Sequence, residues 1–437
     1  MKGIDNHITS SYGNYLSLLK RLVSINTVYS NKKGIIKALK FCKQEFEQQL
    51  QEYRFYFDQT QNLIGISKKI NPSRPIVYLS SHIDTVHAEK KEWHKQFDPF
   101  HPYEDAKTIV GRGVNDDKAG VAYQLLLAHL LAAYYPRTSN ILFTISSREE
   151  QGGISAQEIG TQLGNQLPLG SKTYLITLEN NIKTTTPPTL YINYGENGAF
   201  GMEVIGQLET LKKFLYNDIN LWNPTSIIPV PDKSNIQWEM FEQIGGHAAT
   251  VRREGNLIYQ FLTTKFSNNQ LIKAGSPQGV SNVPKIVYKT KTLKATKHKA
   301  IFDLRTMKHI DNLIDELNKH RINYKFVKKI DNGYSIKKQL LNDEIYQKMK
   351  KIQANSLQLR FEINPGSTDT GKIYSCINTE IKKSFIPITM GPGSRSQKDL
   401  IPPRMTHGVN ETYVKKAGLE GIRFITKLLA EMNFIKN

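Results

Sequence analysis

The chain has 437 residues, with 59 Lys+Arg against 39 Asp+Glu for a net charge of +20, and 39% of its residues are apolar. That balance excludes a largely disordered chain, and the length exceeds what one hydrophobic core serves, so two domains are expected. A spanning helix is excluded too, because no stretch reaches roughly 20 uninterrupted apolar residues; Gly120–Tyr135 is broken by Gln124 and His129.

The N-terminal MKGIDNHITSSYGNY lacks the apolar run of a secretory signal. Leu16–Val23 and Lys37–Leu50 then read as amphipathic helices. Three runs follow, Pro75–Ser80, Asn140–Ile145 and Thr173–Leu178, each apolar enough to lie in a parallel sheet covered on both faces. Between the first two, the Ala- and Leu-rich Lys118–Tyr135 predicts a helix packed on that sheet. This alternation is α/β, with a mixed, mainly parallel sheet between helices. After about Asn193 the runs alternate with period two, at Ala199–Ile205, Asn235–Phe241 and Lys285–Thr292, around helical stretches Asn256–Phe266 and Asp311–His320. Beyond Ile330 the pattern returns to a helix over Lys337–Ala354, a strand at Phe385–Thr389 and a last amphipathic helix, Val414–Met432. An α+β two-layer domain at 195–330 is thus expected to interrupt an α/β domain made of 1–194 and 331–437. Cys42 and Cys376 fit no metal or redox spacing, so each is expected to be a small buried hydrophobe in a reducing, cytoplasmic setting.

Lys285–Lys329 holds 13 Lys+Arg and 4 Asp+Glu, a large share of the basic surplus. It reads either as a solvated lysine face or as an anion-attracting surface.

Four polar clusters sit near the ends of the predicted elements: Ser81-His82-Ile83-Asp84, Gly111-Arg112-Gly113-Val114-Asn115-Asp116-Asp117-Lys118, Glu149-Glu150 and Glu179-Asn180. The carboxyl ends of parallel strands form a common crevice, so these groups are expected to converge although they are far apart in sequence. His82 offers a neutral imidazole nitrogen, and Asp84 can accept its other N–H and fix the tautomer. Of the tandem Glu149-Glu150, one carboxylate can bind metal while the other stays free as a base. Asp116, ahead of a helix, can bridge two ions. Nitrogen and carboxylate ligands without thiolate point to Zn²⁺, with Mn²⁺ or Co²⁺ as substitutes.

The order His-x-Asp, Gly-Arg-Gly-x-x-Asp-x-Lys-x-Gly, Glu-Glu and Glu resembles the cocatalytic-zinc aminoacylase and carboxypeptidase family, whose members include acetylornithine deacetylase, succinyl-diaminopimelate desuccinylase and glutamate carboxypeptidase. The resemblance implies a zinc-peptidase-like catalytic domain with an inserted lid and dimerisation domain. It assigns His82, Asp116 and Glu179 to one metal, and Asp116, Glu150 and His407 to a second. His407 lies in Thr406-His407-Gly408-Val409-Asn410-Glu411, with a Glu four residues on. It implies Glu149 as general base, with a dimetal-bridged hydroxide as nucleophile. By the same resemblance, His247 in Gly246-His247-Ala248-Ala249 stabilises the oxyanion in a neighbouring subunit's site. Asn282, Arg305 and the Gly391-Pro392-Gly393-Ser394 loop match positions that hold a substrate carboxylate.

These expectations describe a metal-dependent hydrolase acting beside a free carboxylate, on an N-acyl amino acid or the C-terminal bond of a small peptide. Its partners would be a carboxylate-bearing small molecule and a second copy of the chain, with neither nucleic acid nor membrane. A dipeptidase or aminopeptidase, an amide-forming relative and a non-catalytic basic binding protein are the alternatives. The last lacks aromatic residues interleaved with the basic run.

Overall fold

The computed structural model describes residues 2–135, 140–166, 171–179, 182–196, 198–206, 298–306, 310–319, 321, 323–331, 333–353, 356–364, 368–395 and 410–435. The chain divides into two units: 1–195, 336–362 and 368–437 form the first, and 196–335 with 363–367 the second. The sequence-based boundaries, at 194 and 330, compare with 195 and 335 here.

The first unit opens with helices α1 (Lys2–Val23) and α2 (Lys32–Gln49) and strands β1 (Tyr53–Phe57), β2 (Leu63–Ser67) and β3 (Ile76–His82). The short strands β4 (Tyr103–Glu104) and β5 (Thr108–Val110) lead to helix α3 (Lys118–Tyr134) and strand β6 (Ile141–Ser146). Helix α4 (Ile154–Gln166) and strands β7 (Thr173–Thr177), β8 (Ile182–Lys183) and β9 (Thr189–Glu196) follow. The main sheet runs β1-β2-β6-β3-β7, then Phe385–Thr389, β9, β8 and Ser394–Arg395. Its centre is parallel: β6 pairs with β3, β3 with β7, and β7 with Phe385–Thr389, while β2 joins β6 antiparallel.

Every residue of β3, β6 and β7 is buried. Strands in this condition need cover on both faces. One face carries Ile76, Tyr78, Leu142 and Leu175, packed against Ala156, Ile159 and Leu163 of α4 and Ile373 of the helix Asp369–Cys376. On the other lies α3, buried on nearly all sides, which is why apolar residues are spread around it rather than confined to one stripe.

The second unit is described in part. Strands β10 (Gly198–Gly206), β11 (His298–Thr306) and β12 (Asn323–Asp331) form an antiparallel sheet in the order β11-β10-β12, with a helix at Ile310–Lys319. The strands and helix expected at Asn235–Phe241, Lys285–Thr292 and Asn256–Phe266 lie outside the described residues.

Several expectations change. Cys42 is buried, but Cys376 is exposed at the end of its helix. The helix expected over Lys337–Ala354 is two, Lys337–Leu341 and Glu344–Ile352. The second begins where the Asp343 side chain accepts from the Ile345 N–H at 3.0 Å, an N-cap that ends the first. Strands β1, β2 and β9 and helix α4 were not anticipated. No helix among the described residues is long and apolar enough to cross a membrane.

Candidate metal centre

The carboxyl ends of the parallel strands gather the predicted polar clusters. His82 is the last residue of β3 and is buried. Its Nε2 lies 2.8 Å from Asp116 Oδ1, and its Nδ1 lies 2.9 Å from the Asp84 carbonyl oxygen. The Asp84 carboxylate, expected to take that N–H, stands 3.5 Å from Nδ1. It accepts instead from the backbone N–H groups of Glu149 (Oδ1, 3.0 Å) and Glu150 (Oδ2, 3.0 Å). Asp84 therefore ties the tandem-glutamate loop to the histidine strand.

That loop is held along its length. Ser147 N–H donates to Asn62 Oδ1 at 3.1 Å and Arg148 N–H to Ser155 Oγ at 3.1 Å. Four consecutive amides, from Ser147 to Glu150, thus end on side chains from three separate segments. Glu150 joins His82 and Asp116 in a group whose ligand atoms all lie within 4.8 Å of one another.

The Gly111–Asp116 loop has a second clamp. The buried Glu411 carboxylate accepts from the Gly113 N–H (2.8 Å), the Asn115 N–H (2.8 Å) and the Asp116 N–H (3.1 Å), and pairs with Arg112 Nη1 at 3.1 Å. Gly113 has φ +75°, and a Cβ there would stand 2.6 Å from Thr85 Cγ2, so this turn requires glycine. Asn115 extends the network, donating to the Thr412 carbonyl at 2.7 Å and accepting from the Ser394 N–H at 2.8 Å. Arg112 also lies over the Trp93 ring, 5.5 Å from its centroid. Lys118, the lysine of the motif, is buried and donates to the Ile25 carbonyl at 2.9 Å, and burial lowers its ammonium to about 7.

The electrostatics ask for a cation. Burial first, and then the charges of Glu149 and Asp116, push the Glu179 carboxyl well above the usual range. Burial likewise raises Asp117, with Asp116 adding to it. At His82 burial opposes protonation, yet hydrogen bonds to Asp116 and Asp84 outweigh it and raise the imidazole. Buried like charges of this kind cost several kcal/mol unless neutralised. Glu179 Oε1 is also buried with no hydrogen-bond partner among the described residues. A histidine nitrogen, converging carboxylates and an orphaned buried oxygen fit a hard or borderline divalent metal.

Of the predicted residues, the structure brings together His82, Asp84, Asp116, Glu149 and Glu150, with Glu179 in electrostatic reach of them. Gly391 is also near: a Cβ on it would meet the Glu179 carbonyl oxygen at 2.0 Å, so it allows two backbones to touch. Gly393 accepts from the Ile182 N–H at 3.3 Å. Arg305 lies in β11, opposite Ala199, and its side chain is outside the described residues. His247, Asn282 and His407 lie outside them altogether. Sequence reasoning missed Asn62, Ser155 and Lys372, whose Nζ lies 3.5 Å from Glu149 Oε1. Asn62 and Lys372 act across long sequence separations and Ser155 across a short one, and none belongs to a motif.

The model of peptidase family M20/M25/M40 matches residues 78–431. The chain belongs to this family. Among solved structures, M20 chains of low identity share its fold. Human carnosine dipeptidase 1 is 14% identical, with 99% of each chain covered and a TM-score of 0.61. The di-peptidase Dug1p from Saccharomyces cerevisiae is 14% identical over 98% of this chain and 97% of its own, with a TM-score of 0.62. The M20 metallo-carboxypeptidase Sso-CP2 from Sulfolobus solfataricus is 15% identical over 95% and 98%, with a TM-score of 0.61. No curated protein matches the chain. For this M20 chain the family match indicates a metallohydrolase, and the fold is the mixed, mainly parallel sheet between helices expected from the sequence.

Proposed function

We propose that this M20 chain is a dinuclear metallohydrolase that cleaves the amide bond of an N-acyl amino acid or the C-terminal bond of a small peptide. The observation that carries this reading is the arrangement of the tandem glutamates. Glu150 stands in the ligand group with His82 and Asp116, while Glu149 lies beside it with its backbone N–H fixed by Asp84. Two divalent ions, Zn²⁺ with Mn²⁺ or Co²⁺ as substitutes, would be held by His82, Asp116 and Glu179 and by Asp116, Glu150 and His407. When bound they supply the Lewis acidity that makes water nucleophilic near neutral pH and polarises the carbonyl. Glu149 takes the proton from that water and returns it to the leaving amine, a general acid–base contribution worth about 10²–10⁴ in rate. His247 stabilises the developing oxyanion. Asn282, Arg305 and the Gly391–Gly393 backbone receive the substrate carboxylate.

A dipeptidase is the second reading, favoured by carnosine dipeptidase 1 and Dug1p among the structures of the same fold. A hydrolysis panel of N-acetyl and N-succinyl amino acids, dipeptides and tripeptides with Zn²⁺, Mn²⁺ and Co²⁺ separates the two. In the same panel Glu149→Gln is expected to keep its metal content and lose at least 10²-fold in kcat. Turnover of none of these substrates would reject the hydrolase reading, and an active Glu149→Gln would reject the base.

The proposal includes a homodimer joined through the inserted domain, with His247 acting in the partner's site. Sedimentation at assay concentration is expected to give twice the chain mass, and an active monomer would remove this part.

A further inference from the structure

A buried lysine faces the proposed base. Lys372 Nζ lies 3.5 Å from Glu149 Oε1, and the Lys372 side chain is only 3% exposed. An ammonium so enclosed is closed to substrate. Its stem reaches Glu149 across Gly153, where the backbone leaves the needed space: φ is +67°, and a Cβ would stand 2.0 Å from Lys372 Cδ and 2.1 Å from Nζ.

The helix that carries Lys372 (Asp369–Cys376) is fastened to the ends of three strands of the main sheet. Thr368 caps it, accepting from the Thr370 N–H at 3.1 Å. Thr370 Oγ1 bonds to Thr177 Oγ1 at 2.5 Å and to Thr389 Oγ1 at 2.8 Å, and Asp369 Oδ2 accepts from Ser146 Oγ at 2.5 Å. Each of these partners is buried. Glu149 is thus held at both ends, its amide by Asp84 and its carboxylate by a cation on a helix locked to the sheet. A carboxylate beside other acids would otherwise swing away from them, and a misplacement of about 1 Å can cost about 10²-fold in rate.

We propose that Lys372 is a positioning residue for the reaction, fixing the Glu149 carboxylate toward the water it deprotonates. This rests on the assignment of Glu149 as base. The test is a double-mutant cycle on the metal-loaded, full-length protein: wild type, Lys372→Met, Glu149→Gln and the double variant. Each is measured for kcat, KM, metal content and unfolding midpoint, using the best-turned-over member of the panel.

Lys372→Met is expected to lower kcat about 10- to 100-fold, with KM within about twofold and metal content unchanged. In the Glu149→Gln background the same change is expected to lower kcat by less than about twofold, because the group it positions is gone. The unfolding midpoints should likewise be non-additive. Additive losses in both measurements, or a wild-type kcat in Lys372→Met, overturn the inference while leaving the base assignment intact. An active Glu149→Gln overturns the base itself and the inference with it. Lys372→Gln, which keeps most of the volume and a donor, serves if Lys372→Met does not fold. It is expected to lower kcat at least fivefold, and a wild-type kcat there also overturns the inference.

Discussion

Glu411 has no chemical step to perform, yet its carboxylate sets the shape of the loop that presents Asp116. It gathers three amides of one loop and one guanidinium in a buried setting. Groups that orient metal ligands in this way are commonly worth 10–100-fold in affinity. Removing one partner of a buried ion pair costs about 3–5 kcal/mol when the other charge is left alone. Glu411→Gln is therefore expected to weaken metal binding about 10- to 100-fold in a chelator-competition titration and to lower the unfolding midpoint. Unchanged affinity would mean that the loop keeps its shape without this carboxylate. The sequence made Glu411 visible only through its spacing from His407; its actual partners, Gly113, Asn115 and Asp116, lie almost 300 positions earlier. Asn62 and Lys372 gave no sign at all, because an isolated polar residue announces a contact only when its partner is close in sequence.

At the scale of elements, the strands and helices with strong periodicity were legible. The runs at Pro75–Ser80, Asn140–Ile145 and Thr173–Leu178 became β3, β6 and β7 within two residues at each end, because strands buried on both faces must be apolar throughout. The same burial made α3 readable from its Ala and Leu content. Strands β1 and β2 escaped. Their sequences, Tyr-Arg-Phe-Tyr-Phe and Leu-Ile-Gly-Ile-Ser, are short, and β1 is an edge strand whose Arg54 is exposed. Pairing of β2 with β6, and of β1 with β2, fixes them rather than intrinsic pattern. Helix α4 is interrupted by Gly160 and Gly164 in sequence, and the first of these lies against the backbone of Ile373, where a Cβ would meet its carbonyl oxygen at 2.6 Å. Packing against the helix of Lys372 thus outweighs the poor helix propensity of glycine.

For the whole molecule, the acidic crevice links metal, protons and stability. Burial, then the nearby Glu149, raises the Asp369 carboxyl to about 6, and Glu179 and Asp117 are raised as well. In the metal-free protein such groups hold protons more tightly folded than unfolded. Their favourable contribution is full below the unfolded carboxyl value of about 4 and is lost as pH rises through the folded value, about 6 for Asp369. A cation that binds only the folded state replaces those protons and adds about 2.7 kcal/mol at 100 times its Kd. Chelation is thus expected to lower the unfolding midpoint by several degrees, with the gap to the loaded protein widening between about pH 4.5 and pH 7. Calorimetry at both pH values with and without chelator measures this, and a gap that is absent or narrows with rising pH would contradict a metal role for the crevice.

The sequence by itself pointed to the α/β class and the interruption by a second unit through apolar periodicity. It pointed to His82, Asp116, Glu149, Glu150 and Glu179 as candidate site residues through polar clusters near the ends of elements and the family resemblance that those clusters carry. Only the tertiary structure decided how those residues are held. Asp84 serves the glutamate loop as well as the histidine, Glu411 folds the Asp116 loop, and Lys372 meets Glu149 across more than 200 residues. Such contacts carry no periodicity and no fixed spacing, because they form only when the sheet brings its strand ends together.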